Sequence, residues 1–250
     1  ATAAARPGAF DREVLDQLGT PSADQAAALE LLRMLEPALQ KLYPADLESY
    51  GLTSRDRLTA KSGHPLRALG DHVAAILGVE EWELYLHQSR QVGHLLEPGN
   101  PPMIIAPAST ADLPQAMQVF LLARPLVQVA RGIEVVEKLT PRELEVLLAS
   151  AARNVDESYG RGLTSEEFMS EQRKRLHKAT PWLHRKNVDE AARGYVAAGN
   201  VDFARLSRGA TRTAARVAAL LTDDLAASVQ ALQRTERDIQ GLSGPALVEG

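Results

Sequence analysis

Apolar residues recur every three to four positions through most of this 250-residue chain and every second position in one short stretch. That contrast constrains the architecture more than any other feature of the sequence. In EEWELYLHQ, Trp82, Leu84 and Leu86 alternate with Glu83, Tyr85 and His87, the period of a strand with one covered face. The following VGHLLEPGNPPMIIAPAS places two apolar runs around a turn-forming PGNPP, which predicts a hairpin or small meander. One small sheet near 80–109 is therefore expected, and helices elsewhere.

The helical segments carry their own start and stop signals. FDREVLDQL and SADQAAALELLRMLEPALQKLY read as amphipathic helices, the second opening on Ser22 as N-cap and interrupted at Pro37; together they resemble a helical hairpin. TSRDRL begins a short turn. HPLRALGDHVAAILGV sets Leu66, Leu69, Val73, Ile76 and Leu77 on one stripe. DLPQAMQVFLLARPLVQVARG (112–132) is a helix pattern with Pro125 near its midpoint, where a lost hydrogen bond predicts a kink. LTPRELEVLLASAARNV has Thr140 at the N-cap, Pro141 at N1 and Glu143 at N3, a capping box. LTSEEFMSEQRKRLHKA repeats that logic with Thr164 and Glu167. NVDEAARGYVAAG follows, and the segment from Arg208 predicts one or two helices ending near Gly241. These elements divide into a helical hairpin over 1–60, a mostly helical α+β domain over 61–241, and a loose tail over 242–250.

Charge and composition exclude several classes. With 28 Lys+Arg against 32 Asp+Glu, no global basic field draws the chain to nucleic acid or anionic lipid. No apolar run approaches the length of a membrane span. The chain has no cysteine, which removes disulfides and thiolate zinc ligands and fits a reducing, cytoplasmic setting. ATAAARPGA at the start reads as a trimmed boundary, and the first hairpin as the last unit of an upstream repeat array.

A small helical unit, a strand hairpin, a long helix and a distant second helix form an order that resembles the zinc metallopeptidases related to prenyl-protein and heat-shock membrane proteases. Degenerate relatives of that kind stand at the C-terminus of bacterial tetratricopeptide-type proteins. VFLLARPLVQVARG is similar to the family's HELGH helix and puts Arg124, Pro125 and Gln128 at the His, Glu and His positions. LTPRELEVLLASAARNV is similar to its LSxEELxxVLAHELGHV wording and puts Ser150, Ala151 and Asn154 there. TRTAARVA is similar to the downstream Glu-x-x-Ala-Asp-Arg segment, with Thr211 for the Glu and Ala215 for the Asp, while Ala214 and Arg216 match. What the resemblance implies is a peptidase-like fold without zinc or other cofactor. Its retained groove would lie between the hairpin and helix 112–132, with Arg124 either anchoring a partner's carboxylate or neutralising Glu134 or Glu137. The chemistry agrees: a guanidinium does not ligate zinc, and neither Gln128 nor Asn154 normally replaces an imidazole.

Other constellations have plainer readings beside their functional ones. His64, His72, His87, His94, His177 and His184 contain no i, i+4 pair, although His87 and His94 would approach across a hairpin. There is no G-x-S-x-G elbow and no phosphate-binding glycine loop. DESYGRGLTSEEF reads as an inter-helix loop. Asp223 and Asp224, adjacent on a helix, would diverge as solvated charge. The run QRKRLHKATPWLHRK concentrates Arg173, Lys174, Arg175, Lys178, Arg185 and Lys186 around Trp182. Functionally it would dock an acidic partner, a nucleotide or nucleic acid; structurally it would be a solvated face followed by an inward-packed Trp.

The expectation is a predominantly helical α+β protein acting as a non-catalytic interaction or scaffold module. Its partner would be another protein, with no membrane, no metal and no catalytic residue, and net acidity argues against nucleic acid. Binding would fall to Arg124, Trp182, Arg173, Lys174, Arg175 and Arg185. A hydrolase with relocated ligands, and nucleotide or nucleic-acid binding through 173–186, stand as alternatives.

Overall fold

The structure, a computed structural model, describes residues 6–19, 22–88 and 93–236. It is mostly helical with one four-stranded mixed sheet, the expected class. The helices are α1 (Arg12–Gly19), α2 (Ala23–Leu42), α3 (Pro65–Ile76), α4 (Gln115–Arg131), α5 (Val135–Lys138), α6 (Pro141–Ala152), α7 (Glu166–Ala179), α8 (Arg185–Ala198), α9 (Phe203–Thr222) and α10 (Leu225–Thr235). Among the described residues, no helix is long and apolar enough to cross a membrane.

The sheet contains β1 (Arg57–Leu58), β2 (Glu83–His87), β3 (Leu95–Glu97) and β4 (Met103–Pro107), in the order β1-β2-β4-β3. The expected hairpin is β3–β4, antiparallel with Leu96 opposite Ile104. β2, however, runs parallel to β4, with Leu84 opposite Ile104, so the sheet is not a meander. β1 adds an antiparallel edge from outside the expected 80–109 region. The alternation along β2 also needs correction, because both of its faces are covered. Leu84 joins Ile104 and Ala106 against α3 and α4, while Tyr85 packs with Ile105 and Leu52 on the opposite side, and His87 is buried.

Two cores meet along α9. Its Phe203, Leu206 and Ala210 close an all-helical core built from α2, α5, α6, α7 and α8, and its Ala214, Val217 and Ala218 close a second core under the sheet with α1, α3, α4 and α10. The 3–4 spacing of these residues keeps one stripe buried along the whole helix. α1 and α2 meet through Asp16 and Arg33 at 2.6 Å, yet Leu15 enters the sheet core and Leu31, Leu32 and Leu35 the helical one.

Local signals decided several boundaries. Thr140 and Glu143 form the expected capping box, and Pro141 stands at the first turn of α6. α7 is capped one residue later than expected: Ser165 Oγ, not Thr164, accepts from Phe168 N–H at 3.2 Å. Asp223 and Asp224 are not consecutive helical residues. Asp223 ends α9 in the left-handed region (φ 52°), and Asp224 caps α10 by accepting from Ala227 N–H at 2.9 Å. α2 continues unbroken through Pro37 and α4 through Pro125. Both prolines are flanked by fully buried residues, Leu35 and Ala38 in one helix and Ala123 and Leu126 in the other, so core packing sustains each helix where a ladder bond is lost. α10 ends at Thr235, and the expected helix end near Gly241 and the tail lie outside the described residues.

Candidate functional site

α7 exposes a face on which Ser170, Lys174 and Lys178 follow one another at i+4 spacing, with Arg173 and His177 beside them. Its opposite side buries Met169 and Leu176. At the end of α7, Thr180 turns inward and bonds the Leu176 carbonyl at 2.8 Å. A single 3-10 turn (Trp182–His184) then joins α7 to α8, whose first turns bring Arg185, Val188 and Asp189 to the α7 face and whose Val188, Ala192 and Tyr195 enter the helical core.

The space between these helices is a cavity of about 520 Å³, within the size range of small-molecule sites. Arg173, Lys174, Lys178 and Arg185 line it, against Asp189 as the one lining carboxylate. Arg173 is oriented by Nε donating to Asn154 Oδ1 at 3.1 Å and by Glu157 at 3.6 Å. Arg185 donates from Nη2 to the His177 carbonyl at 3.4 Å, while its Nε is buried without a hydrogen-bond partner. Lys174 and Lys178 form no ion pair among the described residues. Such a cluster of donors, partly desolvated and incompletely neutralised, favours an anion.

Trp182 corrects the inward-packing expectation: it is 75% exposed, and Leu183 beside it 67%. The reason is geometric. Trp182 opens the 3-10 turn, and Thr180 two residues earlier takes the buried position. The other tryptophan, Trp82, is buried, with Arg67 stacked on it at 4.1 Å.

Of the residues singled out from sequence, Arg173, Lys174 and Arg185 come together here, with Trp182 on the adjoining turn. Arg175 does not line the cavity; it is exposed and lies near Tyr43, whose hydroxyl burial pushes up and Arg175 draws down. His177 and Lys178 complete the site. Their i+4 relation to Arg173 and Lys174 was readable, but the return of α8 was not.

Arg124 is elsewhere and already partnered. Its Nη2 donates to Glu236 Oε1 at 2.6 Å and its Nη1 to Thr235 Oγ1 at 3.2 Å, so the expected counter-ions Glu134 and Glu137 are not its partners. Gln128, fully buried, donates to Glu137 at 2.9 Å. Ser150 bonds the Val146 carbonyl, and Asn154 serves Arg173. His94 Nε2 meets Thr110 Oγ1 at 3.0 Å, and burial, Arg124 and His87 together push His94 down to about 4. Among the described residues no three His, Asp or Glu side chains are grouped as a metal ion requires.

Taken together, the molecule is a helical α+β protein presenting a basic cavity with an exposed tryptophan on its connecting turn. No protein-family model, curated protein or solved structure matches this chain.

Proposed function

We propose that this protein is a non-catalytic interaction module that receives an acidic segment of a partner protein in the α7–α8 cavity. The observation that carries the reading is the convergence of Arg173, Lys174, Lys178 and Arg185 on one space beside the exposed Trp182 and Leu183. Carboxylates of an extended segment would pair with the cations, and an apolar residue next to them would cover the indole, the pairing of aromatic anchor and charge that dominates small interfaces. The cysteine-free composition favours a reducing compartment such as the cytoplasm.

The reading of a zinc-peptidase-like fold turned to scaffolding is supported by element order, since strands precede α4 and α9 packs along it. It is supported further by the engagement of Arg124, Gln128 and Asn154 in internal bonds.

Trp182 makes the test direct, because Trp82 is buried and external quenchers reach Trp182 alone. A peptide carrying six consecutive glutamates and a terminal leucine is titrated into the protein while emission and acrylamide quenching are followed. Saturable protection of Trp182 that weakens with salt and vanishes in the Lys174→Glu, Lys178→Glu double variant is expected. No response by the folded wild type sinks the reading. Tighter binding of a single-stranded oligonucleotide than of the peptide transfers the site to nucleic acid.

A further inference from the structure

A second cavity, of about 250 Å³, lies where the later turns of α2 and α4 meet the loops at 78–81 and 100–102. Its charge is the reverse of the first: Glu36, Glu80, Glu81 and Glu134 line it, with Arg12 as the one lining cation. Val79, Val129 and Pro101 supply apolar wall between the carboxylates.

Glu134 sets this cavity apart from an ordinary acidic surface. Glu134 is only 6% exposed, and among the described residues its carboxylate forms no ion pair and no hydrogen bond with another residue, with Arg12 as the cation that acts on it from a distance. Neighbouring buried charges are treated differently: Glu97 has both Tyr50 and Lys138, and Arg33 has Asp16. A buried carboxylate facing a cavity with no counter-ion in contact is costly unless it stays protonated or meets a cation.

We propose that this cavity binds an aliphatic diamine in its diammonium form, with one ammonium between Glu134 and Glu36, the methylenes along Val79, Val129 and Pro101, and the second ammonium at Glu80 and Glu81. The distribution of the carboxylates selects this class. They come from three separate segments and do not group as metal ligands, whereas an extended dication reaches a deep and a rim position at once. Arg12, exposed on α1, shares the cavity and disfavours a ligand of higher charge density.

Protonation provides an independent readout. Burial, followed by the proximity of Glu36, pushes Glu134 up to about 8, and burial also raises Glu36, with Arg12 opposing both shifts. The empty site therefore holds a proton at neutral pH. Entry of an ammonium makes the carboxylate the better state, and the proton is released to solvent.

The experiment is calorimetric titration of the full chain with 1,4-diaminobutane at pH 7 in two buffers of different ionisation enthalpy, alongside n-butylamine and magnesium chloride. Expected are saturable diamine binding with net proton release, tighter binding at pH 9 than at pH 7, and weaker binding of the monoamine. Glu134→Gln, neutral as the wild-type residue is at pH 7, should keep its fold and lose affinity by about tenfold or more. Glu80→Gln with Glu81→Gln, both on the exposed rim, should weaken diamine and leave butylamine unchanged. Absence of diamine binding at millimolar concentration overturns the proposal, as does binding without proton release, unchanged affinity in the rim variant, or preference for magnesium.

Discussion

The guanidinium of Arg124 donates to Glu236 Oε1 at 2.6 Å, linking the middle of α4 to the residue that follows α10. Arg124 is mostly covered and Glu236 is 41% exposed, so solvent weakens the pair. Arg124→Ala should lower stability by about 1 kcal/mol, seen as a reduced urea midpoint, with loss of amide protection concentrated in α10. The response of Trp182 to the acidic peptide should be unchanged per folded molecule. A changed response would place Arg124 in docking after all.

Gly70 in α3 shows a conflict between propensity and packing. Alanine would raise helix propensity by about 1 kcal/mol at an exposed site. Here the added Cβ would fall 2.5 Å from Trp82 Cη2, on a ring held by Nε1 donating to Asp71 and by the stacked Arg67. Overpacking of this kind costs about 1–3 kcal/mol, so the substitution should destabilise. The checks are thermal unfolding and the near-ultraviolet dichroism of Trp82.

The two aspartates between α9 and α10 should respond with opposite signs. Asp224→Ala removes the cap on Ala227 N–H and should cost about 1 kcal/mol. Asp223→Gly relieves a left-handed backbone at φ 52° and should stabilise by up to about 1 kcal/mol. Denaturant midpoints of the two variants should fall on either side of wild type.

Two opposite linkages should hold stability roughly level between about pH 4.5 and 6.5 and leave a decline above that window. Glu134 is raised from 4.5 to about 8, so the folded state holds a proton that the unfolded chain releases, and this contribution falls as pH rises from about 4.5 to about 8. His94 is lowered to about 4, so the unfolded chain takes up a proton first, and stability falls as pH drops from about 6.5 to about 4. Each slope is on the order of 1 kcal/mol per pH unit. Unfolding measured across pH in Glu134→Gln should lose the alkaline decline and expose a fall from about pH 6.5 to about 4, whereas His94→Asn should extend the alkaline decline down to about pH 4.5. A decline that survives its own variant would reassign it to other groups.

Secondary structure was legible in this chain because its determinants are local. The capping box at Thr140 and Glu143 and the apolar stripe that α9 buries involve residues a turn or two apart, and the period-two stretch at 82–86 marked the sheet. The basic run was legible too, as composition. Long-range pairing was not. Arg57–Leu58 is too short to announce a strand and becomes one because Tyr85 and Leu84 offer it an edge. The parallel register of β2 on β4, the return of α8 that turns charged positions on α7 into a cavity, the pairing of Arg124 with Glu236, and the meeting of Glu36 with Glu134 all join segments distant in sequence. Pro37 and Pro125 show the same division. The local rule expects an interruption at Pro37, yet α2, like α4 at Pro125, continues, its flanking residues buried in a core assembled from other segments. Local sequence determined most of the helices and the central strands, since capping and periodicity act within a few residues. Tertiary packing decided which charges share a space, since that depends on burial energies summed over the whole chain.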